Sequence, residues 1–304
     1  MFEDLLRKAT KRSRWVNWLI TDSGMPARET RHFLNMCYSN LAHGKQSKVA
    51  KRILKGNEPN VEAIVYELVT HELLLRLNLA PQFDPFVKNK TPDIRFEVSG
   101  QEFLADVLVT HSPKKTVEQR DGFVEMRDGG DRAQKIAGRL SEKAHKYAPT
   151  GLPLVLFVFL GDHFALRIEN VEEALFGVYH SVFKIAKHDL SGTVVARTGS
   201  SGLFLPNDSG LPHWKNLSAV IACQWFDTLN REARGKRLHC LVIHHWAAAP
   251  ELPVTAFRGF SQIAWSQRGP DIWEWQYTTE DAVVAKLPST GGIEFGIYTA
   301  DNPW

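Results

Sequence analysis

Thr91-Pro92-Asp93-Ile94-Arg95-Phe96-Glu97-Val98-Ser99-Gly100-Gln101-Glu102-Phe103-Leu104-Ala105-Asp106-Val107-Leu108-Val109-Thr110 reads as two strands joined by a tight turn. The strands are roughly Ile94–Val98 and Glu102–Thr110, so a hairpin is predicted. Its register decides where two acids fall. A turn on Ser99-Gly100 pairs Val98 with Gln101 and sets Asp93 opposite Asp106, with Cβ atoms roughly 4.5–5.5 Å apart. A turn on Gly100-Gln101 sets Asp93 opposite Leu108 and leaves Asp106 as a diagonal neighbour on the same face. A three-residue turn breaks the relation unless a bulge restores it.

Convergence of the two carboxylates costs stability. Like charges directly opposite destabilise a sheet, and Asp106 shares its face with Leu104 and Leu108, away from water. A hard divalent cation, Mg²⁺ or Mn²⁺, resolves the conflict by taking carboxylate oxygens while keeping open water positions. Pro-Asp is also a common turn former, and a lone strand Asp often faces solvent.

Outward from the hairpin, Val61–Leu79 is predicted as a long helix with an apolar stripe through Ile64, Leu68 and Leu75. Glu67 sits at the edge of that stripe, one turn before His71, as a third ligand or an orienting group. After the hairpin come a polar loop from Ser112 to Asp131 and a basic amphipathic helix from Arg132 to Tyr147. A buried strand follows at Leu154–Leu160, with Phe164–Ile168 expected to pair with it. Glu172–Phe183 is predicted as helix, and Leu217–Gln224 and Leu238–His245 as strands. The last 50 residues or so offer no firm periodicity. This order predicts an α/β fold, a central mixed β-sheet flanked by helices, with an α-helical N-terminal extension. The expected division is a basic helical segment over 1–58, a core over 59–250, and an extension over 251–304 packed on the core.

The chain has 304 residues, 43% of them hydrophobic and 11% aromatic, enough for a sizeable core and too apolar for a disordered chain. The longest strongly apolar run, Leu152–Leu160, is far short of the roughly 20 residues a membrane-spanning helix needs. Glu3, Asp4, Arg7 and Lys8 at the start predict no secretory signal. Three scattered cysteines predict neither a disulfide framework nor a zinc ribbon, so a cytoplasmic protein is expected. The net charge of +3 is uneven: residues 1–55 hold 12 basic and 4 acidic side chains, the remainder 25 and 30. Basic residues among Phe2, Trp15, Trp18, Phe33 and Tyr38 suggest a polyanion-facing surface, with a plain solvated helical face as the other reading.

The series Tyr66-Glu67-Leu68, Thr91-Pro92-Asp93-Ile94 and Phe103-Leu104-Ala105-Asp106-Val107 resembles the PD-(D/E)XK nuclease superfamily, within it a group of largely uncharacterised bacterial proteins. Lys143-Ala144-His145-Lys146-Tyr147, Leu152-Pro153-Leu154-Val155-Leu156, Ala174-Leu175-Phe176-Gly177 and Ser218-Ala219-Val220 are similar to later pieces of that pattern. The resemblance covers about Val61 to Pro250. It implies a restriction-endonuclease-like core and metal-dependent phosphodiester hydrolysis. Asp93 and Asp106 would hold Mg²⁺ (or Mn²⁺), with Glu67 completing the set. The pattern's lysine should stand two residues after the second acid, where this chain has Leu108. In several branches that lysine projects from the following helix, and Lys143, one turn before Tyr147, is the candidate. Lys135 and Arg139 on the same helix face, with Lys11 and Arg12, are candidate phosphate contacts.

Other clusters carry less. His239-Cys240 and His244-His245 match no zinc spacing, and strand alternation sends His244 and His245 to opposite faces. Ser200 and Ser201 lack a nucleophile elbow. The expected function is therefore Mg²⁺-dependent cleavage of nucleic acid, DNA ahead of RNA, with no membrane partner and a homodimer as a candidate assembly. The alternative is a catalytically inactive nuclease-like fold that binds nucleic acid or another partner, and Leu108 is the residue that keeps it open.

Overall fold

Leu154-Val155-Leu156-Phe157-Val158-Phe159-Leu160 is apolar and buried at every position, as a strand covered on both faces must be. The computed structural model describes residues 2–9, 12, 14–56, 58–110, 116–120, 123–127, 132–160, 168–176, 179–186, 189–197, 202–204, 213–226, 237–269, 272–278 and 294–297. Helices α1 (Phe2–Lys8), α2 (Arg14–Thr21), α3 (Met25–Ser39), α4 (His43–Lys55) and α5 (Glu58–Arg76) come first. Strands β1 (Gln82–Phe83), β2 (Ile94–Val98), β3 (Gln101–Thr110), β4 (Thr116–Arg120) and β5 (Phe123–Arg127) follow, then α6 (Arg132–Tyr147), β6 (Leu154–Leu160) and α7 (Ile168–Phe176). The chain continues through β7 (Tyr179–Ala186), β8 (Asp189–Arg197), β9 (Leu217–Phe226), β10 (Arg237–His244), β11 (Ser261–Gly269), β12 (Ile272–Thr278) and β13 (Glu294–Ile297).

These elements form a central mixed sheet flanked by helices, with a helical N-terminal extension. The sheet order is β1-β2-β3-β6-β9-β10-β11-β12, and β13 pairs with β10. Strands β3, β6 and β9 are parallel neighbours, so each connection must cross over a sheet face. Helices α6 and α7 make those crossovers and cover one face: Ile136, Leu140, Ala144 and Leu175 pack with Leu104, Leu108, Leu156 and Val158. On the other face, Phe103, Ala105, Val107, Phe157 and Phe159 pack with residues from α1 to α5. Helix α5 lies beneath α3 and α4 and against the sheet, so it is buried nearly all round: Val61, Ile64, Val65, Leu68, Val69, Leu73 and Leu74 are covered, and so are Glu62, Glu67, Thr70, His71 and Glu72. No helix among the described residues is long and apolar enough to cross a membrane.

Three expectations are corrected. Strand β6 is flanked by β3 and β9 along its whole length, so no edge is left for a strand at Phe164–Ile168. Residues 164–167 lie outside the described residues, and Ile168 opens α7. The helix expected over Glu172–Phe183 ends at Phe176. Gly177 is a stop signal, and the aromatic and β-branched residues of 179–186 favour the β7–β8 ladder that forms there. The polar stretch 112–131 holds the paired strands β4 and β5, which flank the hairpin signal Asp121-Gly122. The chain after residue 251 adds strands to the same sheet, β11 and β13 sharing one edge of β10. Pairing to an existing edge imposes strand where periodicity shows none.

The β2–β3 register is the one set by a turn on Ser99-Gly100: Val98 pairs with Gln101 and the ladder runs to Ile94 with Ala105. Ser99 and Gly100 both have positive φ, 50° and 82°, as the two-residue primed turn requires. A Cβ on Gly100 would meet nothing within 4 Å, so Gly100→Ala carries only a backbone penalty. The expected loss is about 1 kcal/mol, measured as a shift in the urea unfolding midpoint.

His244 and His245 do not form a metal pair. His244 bonds Gln262 at 2.8 Å. The His245 ring stacks on Phe204 with centroids 4.4 Å apart, and its Nδ1–H donates to the Leu217 carbonyl at 3.0 Å. Its buried Nε2 has no hydrogen-bond partner, so burial holds the ring neutral and pushes its pKa down to about 4. The folded state thus binds fewer protons than the unfolded chain. The stability of the neutral ring is present at pH 7 and lost as pH falls from about 6.5 towards 4. From this group the expected loss by pH 5 is about 2 kcal/mol, and His245→Phe should flatten that part of a melting-temperature profile against pH.

Candidate functional site

The site begins where β2 stops. Pro92 has no N–H to donate, and the β2–β3 ladder ends at Ile94 and Ala105 while β3 runs on to Thr110 alongside β6. The amide of Val107 is left on the open edge. Asp93 Oδ2 accepts its hydrogen bond at 2.7 Å, and Asp106 Oδ1 lies 3.2 Å from the same nitrogen. The predicted opposition of Asp93 and Asp106 is therefore present, tied together by one backbone N–H.

The two carboxyls titrate as a pair. Burial, the negative charges of Glu67 and Asp106, and the hydrogen bond to Asp106 hold Asp93 well above the ordinary carboxyl range. Burial pushes Asp106 the same way but loses to the hydrogen bond from Asp93 and to the Lys143 ammonium, so Asp106 falls below its usual value. Lys143 Nζ donates to Asp106 Oδ2 at 2.8 Å, with Asp106 1% exposed. That ion pair raises the lysine pKa although burial opposes it. One turn on, the Tyr147 hydroxyl donates to the Thr91 carbonyl at 3.3 Å and accepts from Lys146 Nζ at 2.8 Å. Burial and the nearby Asp106 charge push the phenol far above its usual range.

Glu67 reaches the same edge from the opposite face, on α5. It is buried, and Arg52 on α4 grips it through two hydrogen bonds of 2.6 and 2.7 Å. Burial still raises the Glu67 pKa, and Asp106 and Asp84 add to the rise. Asp84 is a fourth acid: its N–H donates to the Asp93 carbonyl at 2.7 Å, Lys48 pairs with its carboxylate at 3.0 Å, and Lys45 caps its carbonyl at 2.6 Å. Arg52, Lys48 and Lys143 thus supply positive charge that the bare sequence assigned to a metal ion.

Asp93, Asp106 and Lys143 meet directly, and Glu67 stands close enough to shift Asp93. Leu108 is buried among Leu104 and the apolar face of α6, where a lysine would be desolvated. Lys143 comes from α6 instead and reaches Asp106. Arg139 donates to the Val109 carbonyl, and Lys135 is exposed. Arg12 bonds the Ala9 and Arg7 carbonyls, while Lys11 lies outside the described residues. Arg52 and Asp84 were missed. A carboxylate inside an apolar helix needs a cation, which was a signal for some partner, but five basic residues on α4 were candidates and only helix packing selects Arg52.

The adjoining carboxyls of Asp93 and Asp106 are of the chemistry a hard divalent cation takes. Among the described residues no group of three His, Cys, Asp or Glu side chains forms a metal-binding set, and the oxygens of Glu67 are hydrogen-bonded to Arg52.

No family model matches the chain, and no curated protein matches it. The structure of Pyrococcus furiosus SfsA in complex with Ca²⁺ is similar at 12% sequence identity and a TM-score of 0.21. The match covers 55% of this chain and 58% of that one, a likeness too remote to bear on function.

Arg52→Met strands the buried Glu67 carboxylate without its cation. The expected loss is about 2 kcal/mol in urea unfolding, reduced from fully buried cases because the arginine is partly exposed. Adding Glu67→Leu should recover most of it.

Proposed function

We propose that this chain binds nucleic acid across the Asp93–Asp106–Lys143 edge, on a scaffold of the PD-(D/E)XK type. One observation carries the reading. Two basic helices on opposite faces of the sheet each send a cation into the same acidic nest, Arg52 from α4 and Lys143 from α6. Helix α4 has five basic residues and no acid, and Lys51 and Lys55 lie exposed along it. On α6, Arg139 and Lys135 stand one and two turns before Lys143, also at the surface. Such a rim offers a polyanion several phosphate contacts. Inside the nest, Lys143 and Arg52 offset the charges of Asp106 and Glu67. This balance supports a binding module, with DNA the first ligand to test ahead of RNA.

A second reading, hydrolysis, is favoured by Lys143, which sits on Asp106 although the pattern's own lysine position holds Leu108. Here Asp93 and Asp106, joined by Glu67, would hold Mg²⁺, which lowers the pKa of a bound water and stabilises charge on a phosphate. Lys143 would stabilise the same charge by hydrogen bonding, and Tyr147 would brace Thr91 and thereby the entry to Asp93.

Binding to labelled DNA, measured by anisotropy across a salt series, should weaken steeply with salt. Lys51→Ala combined with Lys55→Ala should lower the log–log slope by about 1.5. Absence of salt-sensitive binding to DNA and RNA would end this proposal. The two readings separate in Mg²⁺ or Mn²⁺. Cleavage that disappears in Asp106→Asn and Lys143→Met while binding persists supports hydrolysis, and binding with intact substrate supports the module.

A further inference from the structure

Between β1 and β2 the chain makes an excursion that the site does not explain. Its base is closed by the Asp84 N–H to Asp93 carbonyl bond, and its tip by reciprocal bonds between Val87 and Lys90 at 2.9 and 2.8 Å. Lys88 and Asn89 both have positive φ, 42° and 63°, so the tip is a tight primed turn. Phe83 and Pro85 are buried and Val87 packs against the α6 side of the core. Phe86 is turned outward, 73% exposed, whereas the other exposed large apolar residues among those described reach at most 40%.

A single exposed apolar residue is ordinarily unremarkable on a protein surface. This one stands on a hairpin braced from both sides. Lys45 and Lys48 of α4 hold Asp84, and Tyr147 of α6 holds Thr91. One residue, Pro85, separates Phe86 from Asp84, so its Cα lies within roughly 7 Å of the nest's rim. Lys88 and Lys90 share the hairpin, and the basic surface of α4 adjoins it. A rigid aromatic face beside cations, next to a phosphate-binding edge, has the chemistry of a base-stacking platform.

We propose that Phe86 stacks on an unpaired base, which makes single-stranded nucleic acid the preferred ligand, its backbone lying along α4 and its next phosphate directed to the Asp93–Asp106 edge. This inference rests on the nucleic-acid reading above. A paired, stacked duplex offers such a ring no free base face, whereas a single strand offers one at every nucleotide.

The test uses the full chain with EDTA and a 20-nucleotide single strand carrying 2-aminopurine, compared with its duplex and with an abasic version. Phe86→Ala should weaken single-strand binding about tenfold and abolish the quenching of 2-aminopurine. Phe86→Trp should keep both, and the two variants should bind abasic strand and duplex as the parent does. Parent-like affinity of Phe86→Ala for the normal strand, or an equal loss on the abasic strand, would overturn the stacking role and leave nucleic-acid binding intact. No binding by the parent would overturn both. A change in oligomeric state on Phe86→Ala, seen by light scattering with nucleic-acid affinity unchanged, would assign the residue to a protein contact instead and overturn the proposal.

Discussion

The amide of Val107 has two carboxyls and no strand partner, and the candidate site is organised around that fact. Were the β2–β3 ladder two pairs longer, the N–H would meet the Pro92 carbonyl and Asp93 would be an ordinary strand residue. Because Pro92 ends the ladder, Asp93 caps the open edge and comes to rest against Asp106. Two buried acids so placed cannot both ionise cheaply. The protein answers with a lysine on Asp106.

The remaining groups follow from the same shortage of solvent. Glu67 is buried because α5 lies beneath other helices, and it therefore requires Arg52. Asp84 is bound to the Asp93 carbonyl through its amide and draws Lys45 and Lys48. Glu67, Asp84 and Asp106 each pair with a cation from a helix outside the sheet, Arg52 and Lys48 from α4 and Lys143 from α6. Burial of this kind contributes positional order more than net stability, since desolvation consumes much of the attraction. A ligand that brought its own charge, whether a phosphate or a divalent ion, would compete for these pairs.

The sequence was most legible where geometry is local. Ser99-Gly100-Gln101 announced a tight turn, and of the registers it allowed, the one turning on Ser99-Gly100 is the one formed. The long helices were legible from their periodicity and the buried strand from its unbroken apolar run. Long-range choices were not legible. Strands β11 and β13 form because β10 offers an edge to pair with, and β6 has no partner at 164–168 because β3 and β9 already flank it. An open edge is a property of the assembled sheet and leaves no mark on the strand that fills it.

The amino-acid order by itself determined the long helices and the hairpin and limited its register to a few alternatives, since each depends on neighbours a few residues apart. The folded structure selected the register and decided that Arg52 answers Glu67, while Lys143 was already the candidate given by the resemblance. Lys143 reaches Asp106 across 37 residues and Arg52 reaches Glu67 across 15, and each basic helix offered several equivalent side chains. Selection among them depends on the rotation of a helix against its neighbour to bury its apolar face, and that rotation is settled only when the whole core packs.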